Sequence, residues 1–120
     1  MMTSHVADRL VELCRKGQFE AAQSELFAED AVSIEPHGAQ MEMAEGLVAI
    51  QEKGRQFMAS IEEMHGIVIS EPVVADNFFT VSMALDTTFK GRGRVNMEEL
   101  CVYEVDDGKI VSEQFFYSVE

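Results

Sequence analysis

Apolar positions recur at helical spacing in the first part of the chain and at strand spacing in the second. Over residues 4–16, Val6, Leu10, Leu13 and Cys14 fall at i, i+4, i+7 and i+8, a single helical stripe. Ser4 stands where an N-cap belongs, and Arg15-Lys16-Gly17 supplies a stop, cations on the last turn followed by glycine. Phe19, Ala22 and Leu26 space a second short helix over residues 18–28, so the break at Gly17 predicts a helical hairpin or a sharp kink. Residues 31–35 predict a short strand closed by the turn Pro36-His37-Gly38, and residues 39–45 a loop. Leu47, Ile50, Phe57 and Ile61 define a third helix over residues 46–63.

Strand patterns follow. Ile67-Val68-Ile69 opens one, and Pro72 marks an edge or a bulge in it because proline cannot donate to a ladder. Residues 78–89, closed by Gly91-Arg92-Gly93, and residues 95–105 predict two long strands. Asp106-Asp107-Gly108 reads as a tight hairpin leading to a last strand over residues 109–119. The order α-α-β-α-β-β-β-β, with helices gathered on one face of a mostly antiparallel sheet, predicts an α+β fold. At 120 residues the chain is a single domain, residues 1–120, able to bury a core without cross-links.

Alternation gives each long strand two residue sets. Met97, Glu99, Cys101, Tyr103 and Val105 share one face, and Glu98, Leu100, Val102 and Glu104 the other. In the last strand, unbroken alternation groups Val111, Glu113, Phe115 and Tyr117 against Ile110, Ser112, Gln114 and Phe116. Neither face is purely polar, so the sheet is expected to be covered on both sides. Leu100, Val102, Ile110 and Phe116, if outward, form an apolar patch that fits a homodimer through the outer face.

Charge narrows the partners. Lys and Arg number 9 against 22 Asp and Glu, a formal net charge of −13, so neither nucleic acid nor an anionic membrane is expected as a partner. No apolar run reaches the length of a membrane span, and the N-terminus lacks the basic and apolar segments of a secretory signal. Cys14 and Cys101, far apart and outside any CxxC, read as free thiols of a reducing, cytoplasmic setting. His5, His37 and His65 show no ligand spacing, so no metal is expected. The Gly91-Arg92-Gly93-Arg94 tip has no helix after it and is not a phosphate loop, and no cofactor is expected.

Three stretches resemble a known superfamily. They are Gln18-Phe19-Glu20 through Leu26-Phe27-Ala28-Glu29-Asp30-Ala31-Val32, Glu45-Gly46-Leu47-Val48-Ala49-Ile50, and Val102-Tyr103-Glu104-Val105-Asp106-Asp107-Gly108-Lys109-Ile110-Val111 with Glu113-Gln114-Phe115-Phe116-Tyr117 after it. Together they resemble NTF2-like proteins of the SnoaL-like, polyketide-cyclase-like branch, with ketosteroid isomerases as more distant relatives. The resemblance implies a cone-shaped α+β barrel, with a strongly bent sheet wrapped around three helices and enclosing one apolar pocket. It also implies a homodimer through the sheet. Activity is implied less, because the superfamily holds isomerases, cyclases, dehydratases, epoxide hydrolases and non-catalytic binders.

Several residues are candidates for chemistry in such a cone. If Glu99, Tyr103, Glu113 and Tyr117 face inward, carboxylates and phenols stand among apolar walls, where desolvation raises a carboxyl pKa towards working pH and a phenol can donate to an oxyanion. Glu35, just before Pro36, occupies the place of the isomerases' general base by resemblance. The isomerases' oxyanion acid falls at about Cys101, and their helical tyrosine near Leu10, so steroid isomerisation is not expected. Glu35 or Glu99 is then the base, Tyr103 or Tyr117 the oxyanion donor, and Glu113 an orienting or acidic group. Cys101, Phe115, Met97, Phe57 and Met58 are candidate ligand contacts, methionine suiting an adaptable apolar wall. Asp86 is a charge within Met83-Ala84-Leu85 and Thr87, either in the pocket or outside with Arg92 or Arg94. His65 is placed at the exit of the third helix, where a loop could carry it over the pocket mouth. The expected ligand is a small, largely apolar organic molecule, bound for cofactor-free acid/base catalysis or held without turnover.

Overall fold

The computed structural model describes residues 2–119. Helix α1 (Met2–Arg15) buries Val6, Ala7, Leu10, Val11, Leu13 and Cys14 on one stripe. Gly17, at φ 75°, reverses the chain in a left-handed conformation that a side chain would strain. Helix α2 (Phe19–Leu26) passes directly into strand β1 (Phe27–Ile34), because Phe27 is already extended. Strand β2 (Met43–Glu45) and helix α3 (Leu47–Ala59) follow, then β3 (Ile61–Ile69), β4 (Val73–Ala75), β5 (Phe78–Phe89), β6 (Gly93–Asp106) and β7 (Lys109–Phe116).

These strands make one mixed, curved sheet in the order β2-β1-β7-β6-β5-β3, with β4 also on β5. The β1–β7 pair is parallel and the others are antiparallel. Register shifts in β1, β3 and at the β6–β7 turn bend the strands. Along β5 the buried residues Phe79, Val81, Met83, Leu85, Thr87 and Phe89 alternate with more exposed ones, which fixes the inner face. The helices cover that face, and α1, α2 and the inward strand residues form one continuous core.

Ser4 lies inside α1, which already runs from Met2, rather than capping it, and four further local expectations change. Residues 43–45 form β2 rather than loop, paired with Val32, Ser33 and Ile34; with only Ala44 buried, three residues carry no readable alternation. Strand β1 begins at Phe27, within the expected second helix. Ile61 keeps helical spacing from Phe57 yet lies in β3 opposite Phe89, because α3 ends at Ser60, whose hydroxyl and N–H both donate to the Phe57 carbonyl.

The fourth change concerns Ile110. Glu104 pairs with Ser112 and Val105 with Ile110, so Val111 is an extra residue on β7. That bulge turns both Ile110 and Glu113 inward, although unbroken alternation puts them on opposite faces. Ile110 is fully buried and does not belong to the outer patch. Ile110→Ala is therefore expected to cost about 3 kcal/mol in chemical denaturation, and Val111→Ala roughly 1 kcal/mol or less. Equal costs would contradict the bulge.

Candidate functional site

The inner face of the sheet carries polar side chains in rows. Strand pairing sets Ser33 of β1 beside Glu113 of β7, and Glu113 beside Tyr103 of β6. In the next row Phe115 faces Cys101, with Glu99 two residues along β6. Glu35 lies just past the end of β1, Tyr117 just past β7, and Lys53 reaches in from α3. Each arrives by strand alternation or helical spacing: Ser33 two residues after buried Ala31, Lys53 between Ile50 and Phe57.

Hydrogen bonds connect the cluster. Lys53 Nζ donates to Ser33 Oγ at 2.7 Å and to Glu35 Oε2 at 2.8 Å. The Tyr117 hydroxyl donates to the other Glu35 oxygen at 2.7 Å. The ammonium also stands 5.3 Å from the centre of the Phe115 ring. Among the described residues, the one side-chain hydrogen bond to Glu99 comes from the Cys101 thiol, Sγ to Oε1 at 3.8 Å. Exposure is graded: Glu113 is 4% exposed, the Glu35 and Lys53 side chains 15% and 21%, and Tyr117 36%. Exposure thus rises from the buried Glu113 through Glu35 and Lys53 to Tyr117 at the surface.

Burial sets the proton affinities. Glu99 is pushed up to about 7, first by desolvation and then by the negative charges of Glu35 and Glu113, with the Cys101 thiol and Lys53 opposing. Glu113 is also pushed up to about 7 by burial, with Ser33 and Lys53 pulling the other way and Glu35 adding to the rise. Burial raises the Tyr117 phenol above its usual range, and its bond to Glu35 raises it further. The Cys101 thiol is raised by burial and then by Glu99 and Glu113, and Cys14 is pushed up to about 12, chiefly by burial. Both thiols are therefore protonated at neutral pH and are poor nucleophiles.

Glu35, Glu99, Glu113 and Tyr117 thus come together, along with Cys101 and Phe115. Tyr103 is inward but forms the floor, 3% exposed and stacked on Phe79 at 4.8 Å between ring centres. Met97 lies on the inner face of β6, partly buried against the core. Phe57 shares the Lys53 side of α3, but its ring packs edge-on against Phe89 at 5.8 Å.

Three candidates lie elsewhere. Met58 is 43% exposed, five residues from Lys53 and so turned to another side of the helix. Asp86 lies on the outer face, because Leu85 and Thr87 on either side take the inner one. Arg94 clasps it through two bonds of 2.8 and 3.0 Å and holds its carboxyl below the usual range. His65 lies within β3 rather than in a loop over a mouth, its Nε2 2.6 Å from Thr88 Oγ1 on the Asp86 side of β5.

Two members of the cluster, Lys53 and Ser33, were not among the expected residues. The signal for Lys53 is a lysine on an apolar helical stripe, three residues after Ile50 and four before Phe57. Among the described residues no group of three His, Cys, Asp or Glu side chains is arranged to hold a metal ion. Lys53 is the cluster's cation.

The SnoaL-like domain family model matches residues 1–117. Among solved structures, a candidate SnoaL-like polyketide cyclase [carbohydrate phosphatase] from Mesorhizobium loti is 30% identical, with a TM-score of 0.91 over 98% of this chain and 100% of that one. An NTF2-like protein of unknown function from Burkholderia pseudomallei is 13% identical, with a TM-score of 0.83 over 98% and 92%. A hypothetical protein from Catenulispora acidiphila with a ketosteroid isomerase-like fold, in complex with trimethylamine, is 22% identical, with a TM-score of 0.70 over 83% and 75%. No curated protein matches the sequence.

The buried carboxyl of Glu113 makes stability depend on pH. Folding raises its pKa from 4.5 to about 7. Below its ordinary value both the folded and unfolded chains hold the proton, and burial costs nothing. As pH rises, the unfolded chain releases the proton first, so stability falls through about pH 7. Between about pH 5 and about pH 8 the wild type is expected to lose on the order of 2–3 kcal/mol through this group. Glu113→Gln should flatten that decline in denaturation curves; an unchanged slope would contradict the assignment.

Proposed function

The chain belongs to the SnoaL-like domain family, and on that premise we propose that it binds a small, largely apolar organic molecule carrying a carbonyl and moves a proton next to that carbonyl without a cofactor. The reaction class is isomerisation, intramolecular aldol cyclisation or dehydration. Because the fold serves many activities, the site carries the argument. The observation that supports it most is Glu99: a mostly buried carboxylate with one weak thiol contact, its pKa raised to about 7. A base is most effective when its pKa lies near the working pH and its lone pairs are free.

Glu35 is the weaker choice for the base, since Lys53 and Tyr117 occupy its two oxygens. It serves instead to orient those two groups. Glu113, protonated below about pH 7, is a buried acid that can donate, whereas the single Tyr117 proton is already given to Glu35. Phe115 and Met97 supply apolar walls. With Cys14 and Cys101 buried and unbonded, a reducing cytoplasm suits the chain.

Small cyclic ketones and enones in deuterated water provide the test. The wild type is expected to exchange the protons next to the carbonyl, with a rate that rises as Glu99 ionises, falls as Glu113 does, and so peaks near pH 7. Glu99→Gln should slow exchange about a hundredfold, and Asp86→Asn should leave it unchanged. Binding without exchange would favour a non-catalytic binding module.

The outer face supports a homodimer. Leu100 and Phe116 stand opposite each other on β6 and β7, 52% and 47% exposed, with Val102 on the same face. An exposed apolar pair on a sheet face is suited to burial against a second copy. Leu100→Asp combined with Phe116→Asp is expected to yield monomers in sedimentation. A wild type that sediments only as monomer at micromolar concentration would overturn the dimer.

A further inference from the structure

Lys53 is the cation of the cluster, and the proton transfer from carbon leaves it unused. Its two acceptors, Ser33 Oγ and Glu35 Oε2, sit two residues apart at the end of β1, and the Phe115 ring lies 5.3 Å from the ammonium. An ammonium has three N–H donors. The hydrogen bonds among the described residues account for two of them. The Lys53 charge also acts on both Glu99 and Glu113 and opposes the rise in their proton affinities. Paired with Glu35, it acts as a fixed point charge rather than as a nucleophile.

We propose that Lys53 receives the negative oxygen of the ligand, so that the site selects a ligand bearing an anionic oxygen over a neutral one of the same shape. This rests on the small-molecule site proposed above and adds the residue that meets the oxygen. In the step, the Glu99 carboxylate takes the proton from the carbon beside the carbonyl. The C–H electron pair becomes the carbon–carbon double bond of an enolate, and the carbonyl π pair moves onto oxygen. The third Lys53 N–H hydrogen-bonds that oxygen and keeps its proton. The Glu99 carboxylic acid then returns the proton to the same carbon, which gives exchange, or, where a second double bond is conjugated with the enolate, to the far carbon of the dienolate, which shifts the double bond. One negative charge moves from Glu99 to the ligand and back, and the ammonium already in place needs no rearrangement to meet it.

Other groups modulate this affinity. Facing the cluster are Glu35 and Ser33 at the β1 end, Glu99, Cys101 and Tyr103 from β6, Glu113 and Phe115 from β7, Tyr117 beyond it, and Cys14 from α1. Below about pH 7, Glu99 and Glu113 are protonated, and Lys53 faces one charged carboxylate, Glu35. Above it, two more negative charges compete with the ligand's oxygen. Anion binding is therefore strongest on the acidic side, where a protonated Glu99 beside an anion reproduces the state just after proton transfer.

Benzoate and its neutral isostere nitrobenzene are suitable probes, titrated by calorimetry at about pH 6 and about pH 8.5. The wild type is expected to bind benzoate roughly tenfold tighter than nitrobenzene at the lower pH, with the preference shrinking at the higher one. Lys53→Met should abolish the preference while nitrobenzene still binds, and Lys53→Arg should retain part of it. The double variant Lys53→Met with Glu35→Gln removes the ion pair as a unit, in case the single variant fails to fold. The Lys53 Cε resonance in lysine-labelled wild type should also shift with benzoate and not with nitrobenzene. If nitrobenzene binds but benzoate shows no preference, or if Lys53→Met keeps the preference, the role of Lys53 is overturned and the ligand site stands. If neither probe binds the folded wild type, the small-molecule reading falls and takes the role of Lys53 with it.

Discussion

Three carboxylates and one ammonium share a mostly buried space, and the arrangement around them follows from that imbalance. Lys53 compensates one negative charge, that of Glu35, through a 2.8 Å ion pair. Among the described residues Glu99 and Glu113 form no such ion pair, and burial raises both to about 7. A carboxylate that must be both available and near neutral in affinity needs burial without a strong cationic contact. Glu99 meets that condition, and Glu35, bound on both oxygens, does not.

The backbone delivers these groups by two devices. Alternation on β6 turns Glu99, Cys101 and Tyr103 inward as one set, with Leu100 and Val102 outward. The bulge at Val111 then allows β7 to contribute both Ile110 to the core and Glu113 to the site. Without it, one of the two would face solvent. Parallel pairing of β1 with β7 adds Ser33 at the same level as Glu113, and α3 covers the row with Lys53.

The parts of this arrangement that are legible in the sequence depend on local periodicity. The α+β order and the β6 faces can be read because each set of side chains repeats over many residues. The Val111 bulge has no local mark, neither glycine nor a break in apolar content, so the inward place of Ile110 emerges only from pairing with β6. Asp86 sits in a run where Ala84 on its own face is also apolar, which blurs the alternation, and its partner Arg94 is supplied by a diagonal position on the next strand. Lys53 is visible as a cation on an apolar stripe, but its acceptors lie 18 and 20 residues earlier and are set by the packing of α3 on β1. The resemblance to ketosteroid isomerases implies a base at Glu35, whereas in the structure both of its oxygens are bonded, to Lys53 and to Tyr117.

The parallel contact between β1 and β7 also sets when the site can come into being. It joins Ile34 to Gln114, and beside it Tyr117 reaches back to Glu35 across 82 residues of chain. Closing so long a loop is entropically costly and slow compared with forming the β5–β6 or β6–β7 hairpins. A nascent chain still lacking β7 has Glu35 and Lys53 but neither Glu113 nor Tyr117. The level of Glu113 and Tyr117 is therefore added to that of Glu35 and Lys53 only when β7 pairs with β1.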